Sequence, residues 1–372
     1  MCIYSPSISK AYCSLILKMG SMSNSLKPAL LMVGVQMVFS ACNIIYKLAI
    51  YDGMNIIVIA AYRLAFAAVT TIPLALIFER KRPKMTWRVF YLSLLSGLFA
   101  GLLFQNLFYG ALVLTSATLV SAIYNLIPSV TFVLAVSFGF EELNWGAVTG
   151  KAKVVGTILG FAGALVLTFY KGVEFDIWPF AINILDPKND HTEHVTDTTT
   201  ELLGVLCVLL SCFCFSIWLI IQAKISEVYP CPQSSIALMS VIGTIQCVIF
   251  GFIVERDLNQ WKLGWDIRLL TVVFSGVFAS GIMIFVMAWV VQKKGPLYAS
   301  AFNPLMLLIV AFVASMLLDE KLNLGSILGG VLIVCGLYAV LWGKGRETHK
   351  KIELEPSEII GDSEAARPLL SP

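Results

Sequence analysis

The sequence predicts an all-α polytopic membrane protein, with ten transmembrane helices arranged as two inverted five-helix repeats. Three observations predict it. The 372-residue chain is 58% hydrophobic and only 13% charged, whereas soluble domains carry about 25% charged residues. Its apolar residues fall in long blocks free of Asp, Glu, Lys and Arg, each near the roughly 20 residues that span hydrocarbon. Finally, one stretch occurs twice. Residues 118–142 read TLVSAIYNLIPSVTFVLAVSFGFEE, and residues 296–320 read PLYASAFNPLMLLIVAFVASMLLDE. Each has small residues, then Asn close to Pro, then an apolar run that stops at an acidic pair. Asn125 and Asn303 are 178 positions apart, as are Glu142 and Glu320.

Taken in order, residues 1–27 form a cytosolic N-terminal tail with no clear cleavage pattern. Spans are predicted over 28–50, 55–78, 89–110, 115–139 and 154–171, which make up the first repeat, 28–171. An acidic extracytosolic loop, 172–201, follows. The second repeat, 202–343, holds spans over 202–223, 234–254, 267–291, 297–318 and 324–342. Residues 344–372 are charged, contain Pro and cannot bury a core, so they predict a disordered cytosolic tail. The four residues 111–114 carry no charge, so spans three and four join without a polar marker.

The repeat reaches beyond the duplicated stretch. Phe78-Glu79-Arg80 is echoed by Val254-Glu255-Arg256, 176 positions on. Residues 95–100 (LSGLFA) are echoed by 274–279 (FSGVFA), 179 positions on. Residues 156–172 are echoed by 329–345, 173 positions on. Because five is odd, the second set enters from the opposite face. Inverted repeats of this kind are the signature of alternating-access transport, with the site near mid-membrane. With the N-terminus in the cytosol, eighteen Lys and Arg fall on the cytosolic side and six on the other. That bias places both termini inside. Cys42, Cys207, Cys212, Cys214, Cys247 and Cys335 lie inside apolar blocks, where thiols behave as small hydrophobes. No basic run is interleaved with aromatics, so no nucleic-acid partner is implied, and no cofactor motif is present.

These residues resemble a known family. Residues 121–132 (SAIYNLIPSVTF), Phe302-Asn303-Pro304, Glu320 with Gly325-Ser326, and Gly336-Leu337-Tyr338 with Leu341-Trp342-Gly343-Lys344 look like the drug/metabolite transporter superfamily, in its ten-helix form with two EamA-type halves. More narrowly they resemble the plant nodulin-like group, which includes the "Walls Are Thin" proteins and the "Usually Multiple Acids Move In and out" amino-acid transporters. The resemblance covers residues 28–345 and implies a carrier of amino acids, auxin or other metabolites. The Asn-Pro pairs differ between halves: Asn303-Pro304 is direct, whereas Asn125 and Pro128 are spaced.

Arg63 is the one charge well inside a span, about 12 Å along span two at 1.5 Å per residue. It either snorkels to the outer interface or meets an anionic group on the solute. No Asp or Glu lies within a span to pair with it. That absence argues against a buried proton relay and favours facilitated, bidirectional movement. One Arg suits a single carboxylate, amino acid or auxin-like, better than a phosphorylated solute. Gln105, Asn106 and the two breaks, Asn125 with Pro128 and Asn303 with Pro304, are expected to line the cavity. Interhelical bonding is the plainer role of such residues. Tyr124, Trp218 and Trp289 are placed to stack on an apolar or aromatic moiety, or to serve as core or interfacial belt. Gly156, Gly160, Gly163, Gly329, Gly330 and Gly336 share a helical face and predict close packing, with a homodimer as one use. His191-x-x-His194 in the loop is a solvated pair rather than a metal site.

Together these features lead to the expectation of a multi-pass carrier of small organic solutes, amino acids foremost, in the plasma membrane rather than the tonoplast. It would work by rocking of the two five-helix halves. An auxin or metabolite exporter is the alternative solute reading. A non-transporting receptor or scaffold built on loop 172–201 is the alternative class. An intramembrane enzyme lacks HExxH, paired carboxylates and any Ser/His arrangement.

Overall fold

The computed structural model describes residues 26–43, 45–46, 49, 52–79, 83–114, 120, 123–141, 146–170, 174–175, 198–257, 259–309 and 322–365. Loop 172–201 with its His pair, and the acidic pair ending the second repeated stretch, lie almost wholly outside them. Eight helices among the described residues are long and apolar enough to cross a membrane. Two shorter apolar helices stand where spans four and nine are predicted.

In chain order, α1 covers Leu26–Asn43 and α2 covers Ile56–Phe78, started by the Asn55 side chain, which accepts from Ile57 N–H at 2.9 Å. Span three is α3 (Trp87–Ser96), a π-helical segment (Gly97–Leu103) and α4 (Phe104–Leu114). Then come α5 (Ile127–Ser137), α6 (Val148–Phe169), α7 (Thr198–Val228) and α8 (Pro232–Val254). Span eight repeats the design of span three, with α9 (Ile267–Phe274), a second π-segment (Ser275–Met283) and α10 (Ile284–Lys294). Helix α11 (Pro296–Ser300) is followed after a turn by helical residues 303–309, and α12 covers Leu324–Ala365. One short antiparallel ladder pairs Glu174–Phe175 with Leu322–Asn323. The sequence predicts disorder from Lys344 onward. Helix α12 runs to Ala365, into that segment, whose Lys and Glu are good helix formers.

The chain divides into two compact units: residues 1–109 with 221–294, and residues 110–220 with 295–372. Neither follows a sequence half; each takes spans from both.

In the first unit, Val58, Ile59, Cys42, Tyr46, Val272 and Ala279 form a buried core, flanked by Phe66 and Trp261. Helices α2 and α8 are antiparallel and clasp each other at both ends. The Glu79 carboxylate, just past α2, accepts from Gln233 N–H (3.0 Å), Ser234 N–H (2.8 Å) and Ser234 Oγ (2.6 Å). It thereby satisfies donors at the N-terminus of α8. At the opposite end, Asn55 Nδ2 donates to Glu255, just past α8. The π-segments pack equally tightly. A Cβ on Gly97 would lie 3.0 Å from Gly243 N, and one on Gly276 would lie 2.8 Å from Arg63 O and 3.4 Å from Ala67 N. Gly97 and Gly276 are 179 positions apart; Ala67 and Gly243 are 176 apart. The two contacts are thus reciprocal in the offsets of the sequence repeat.

The second unit shows the same reciprocity. A Cβ on Gly156 would lie 2.6 Å from Gly336 O, and one on Gly163 would lie 2.8 Å from Gly329 O. At an offset of 173, each contact is the image of the other. Gly156, Gly163, Gly329 and Gly336, named as part of a possible homodimer seam, are therefore met within the chain, by α6 against α12. This corrects that expectation: no Gly163 or Gly336 surface is left for a second copy.

Candidate functional site

Both expected breaks are present as tightened turns. Leu126 N–H bonds Ile123 O at 2.9 Å, and Leu305 N–H bonds Phe302 O at 3.0 Å, both in the i to i−3 pattern. Pro128 and Pro304 supply no backbone donor. At the first break, the carbonyls meet side chains from α7: Cys212 Sγ donates to Ile123 O (3.5 Å) and Ser216 Oγ to Ile127 O (3.4 Å). Thr131 Oγ1 donates in turn to Ser216 Oγ at 3.0 Å. Pro128 and Pro304 line one crevice with Thr157, Phe161 and Leu337. It encloses about 10 Å³, room for about one water and no solute. Asn125 and Asn303 are buried beside it in the chain, and the Asn303 Nδ2 has no hydrogen-bond partner. Tyr124 is half-buried.

Arg63, Gln105, Asn106 and Trp289 belong to the first unit. The Arg63 guanidinium lies over the Tyr46 ring, 5.9 Å from its centroid, a cation–π distance. Its Nε donates to Ser280 Oγ, presented by the second π-segment. Tyr46 meets Tyr109 edge-on, with centroids 5.9 Å apart. The Tyr46 hydroxyl is buried near Ser275 and Arg63 but makes no well-formed hydrogen bond. Among the described residues, no ion pair includes Arg63. Gln105 sits one turn before Tyr109 on the same face of α4. It is buried, and its Oε1 lacks a partner. Asn106 instead turns back to Leu102 O at 2.7 Å. Trp289 is half-buried on α10.

The arrangement is a cation held by one ring and one hydroxyl, with no carboxylate beside it among the described residues. Such a site suits an anion that arrives and leaves. The sequence singled out Arg63 but not Tyr46, Tyr109 and Ser280, which the structure places around it. Ser280 carried a usable signal: it is 179 positions from Gly101, so it is polar where its counterpart is bare.

Sequence reasoning also missed a charged cluster in the second unit. Lys153 Nζ contacts Glu141 (3.0 Å) and Glu347 (2.8 Å), and Lys344 contacts Glu141. Lys153 and Glu141 are fully buried. Every charge has an opposite partner, as burial requires. No cluster of three His, Cys, Asp or Glu among the described residues could hold a metal.

Comparison with known proteins decides the class. Residues 26–169 and 202–342 both match the EamA-like transporter family. The chain belongs to that family. Two WAT1-related proteins of Arabidopsis thaliana are 42% and 43% identical to it, over 87% and 85% of this chain and 91% and 89% of theirs. A third WAT1-related protein of that plant is 38% identical over 87% of this chain and 84% of its own. A solved crystal structure shares the fold, with a TM-score of 0.64 at 15% identity, over 87% of this chain and 98% of the other. This EamA-like protein is a multi-pass membrane transporter of small solutes. Family membership favours transport over the receptor and enzyme readings.

Proposed function

We propose that this transporter carries small organic solutes with a single carboxylate, amino acids foremost, by alternating access and down their gradients. The observation that carries the reading is Arg63, an intramembrane cation with no carboxylate partner among the described residues. An amino acid's carboxylate would complete its charge. Three carboxylates near span ends are already occupied: Glu79 by α8, Glu141 by two lysines and Glu255 by Asn55. That occupancy supports facilitated movement rather than proton relay. The reciprocal glycine contacts support two inverted repeats of five spans. The bodies that move in the cycle would then be the two compact units, not the two sequence halves.

The test is uptake in oocytes, using labelled amino acids and auxin at external pH 5.5 and 7.5. Uptake above water-injected cells, abolished in Arg63→Ala and little changed by pH, supports the reading. Uptake that vanishes at the higher pH overturns facilitation, and no carboxylate uptake across the panel overturns the solute class. A second reading, an auxin-like aromatic carboxylate, is favoured by the Tyr46–Tyr109 pair beside Arg63. Auxin flux exceeding that of every amino acid would select it.

A further inference from the structure

A groove of about 560 Å³ opens in the first unit where α2, α3 and α8 meet. Its walls include Ile72, Ala75, Leu76, Leu238 and Val241, and Lys84 also lines it. Ile72, Leu76 and Met85, also in its lining, are strongly exposed, so the groove is continuous with the face this membrane helix bundle turns to lipid. Trp87, 82% exposed, begins α3 beside it. An exposed Trp at a helix end marks the headgroup level. Lys84 and Arg88, both exposed, flank Trp87 at that level. Residues 80–88 hold five Lys and Arg and no acid. The adjoining acid, Glu79, is engaged by the α8 N-terminus. Among the described residues, Lys84 and Arg88 at the rim therefore have no ion-pair partner beside an apolar trough.

We propose that this groove is a binding site for a phospholipid with an anionic headgroup. One acyl chain lies along Ala75, Leu238 and Val241, and the headgroup phosphate meets Lys84 and Arg88. Both halves of the ligand are specified: a volume within the range of ligand sites, and juxtamembrane cations, each of which attracts anionic lipid. On the cytosolic orientation that the basic residues predict, the site faces the leaflet richest in such lipids.

The test uses the full chain, purified and exchanged into nanodiscs of phosphatidylcholine with one fifth phosphatidylserine. Native mass spectrometry then counts retained lipids. Wild type should retain phosphatidylserine over phosphatidylcholine. Lys84→Ala and Arg88→Ala should each reduce that preference about fivefold. Leu238→Trp, which fills the trough, should reduce retention of both lipids, and circular dichroism reports whether each variant is folded. Equal retention of the two lipids by wild type overturns the proposal. So does a folded Lys84→Ala/Arg88→Ala variant that keeps the preference, because the headgroup would then be held elsewhere. If labelled solute rather than lipid is retained and Leu238→Trp blocks it, the groove is a solute site and the proposal fails.

Discussion

Arg63 is a charge that hydrocarbon disfavours by about 2.5–3.5 kcal/mol at a span centre. Its neighbours offset that cost only in part: a ring beneath it and one hydroxyl. A residue kept at such a cost for function should be dispensable for folding. Arg63→Leu should therefore leave the thermal midpoint unchanged or higher, while carboxylate uptake falls about tenfold to a hundredfold. A lowered midpoint with intact uptake would show that Arg63 is structural. Glu141 predicts the opposite pattern. It is buried between Lys153 and Lys344, and removing one member of a buried pair strands the others. Glu141→Ala should cost about 3–5 kcal/mol in stability. Lys224→Ala, which breaks an exposed pair with Glu227, should cost under about 1 kcal/mol. Denaturation in detergent compares the two directly. The lone Arg was legible because one charge in an apolar block is conspicuous. The Lys153–Glu141 pair was not, because both residues sit where spans end and read as ordinary loop charge.

At the scale of elements, the apolar blocks and the two Asn-Pro interruptions were legible, since hydropathy and proline act locally. The π-segments were not. Gly97–Leu103 and Ser275–Met283 have compositions that suit an ordinary helix, and the extra residue per turn shows only in bonding: Phe104 N–H reaches Phe99 O, and Ile284 N–H reaches Ala279 O. Their recurrence in both repeats marks them as features of design, since π-turns are rare and often sit at functional sites. The second one delivers Ser280 to Arg63. Close approach by glycine was legible as a stripe, but not its partner: sequence spacing cannot tell an internal helix from a second copy. The structure pairs α6 with α12, and this has a measurable consequence. Gly163→Leu places a side chain where a Cβ alone would lie 2.8 Å from Gly329 O. Overpacking a well-packed contact costs about 1–3 kcal/mol, and more where backbone blocks the way. The variant should lose most of its monodisperse folded protein on size exclusion. Gly160→Ala, with open space around its Cβ, should not. If the stripe were instead a seam between copies, Gly163→Leu would yield a well-folded monomer.

For the whole molecule, the deciding matter is how one half is turned relative to the other. Two copies related by translation would make each contact in its own register, Gly156 with one partner and Gly329 with that partner's counterpart elsewhere. What is found is exchange: Gly156 meets Gly336 while Gly163 meets Gly329, and Gly97 meets Gly243 while Gly276 meets Ala67. Reciprocal exchange is what a twofold axis generates, and the proposed inversion puts that axis in the membrane plane. Glu79 and Glu255, equivalent in sequence, lie at opposite ends of the α2–α8 pair, as the proposed inversion requires. Each of those helices has 23 residues, or about 34 Å at 1.5 Å per residue, enough to cross the hydrocarbon. A single cysteine at Lys84 and another at Asp257, both exposed, should then react with an impermeant maleimide from opposite faces. The basic residues assign Lys84 to the cytosol, so in intact cells only Asp257→Cys should label above the parent protein. Permeabilised cells should label both. Labelling of both in intact cells would place the ends of α2 on one face and remove the inversion. A solute pocket served alternately from two sides would then have no structural basis in this chain.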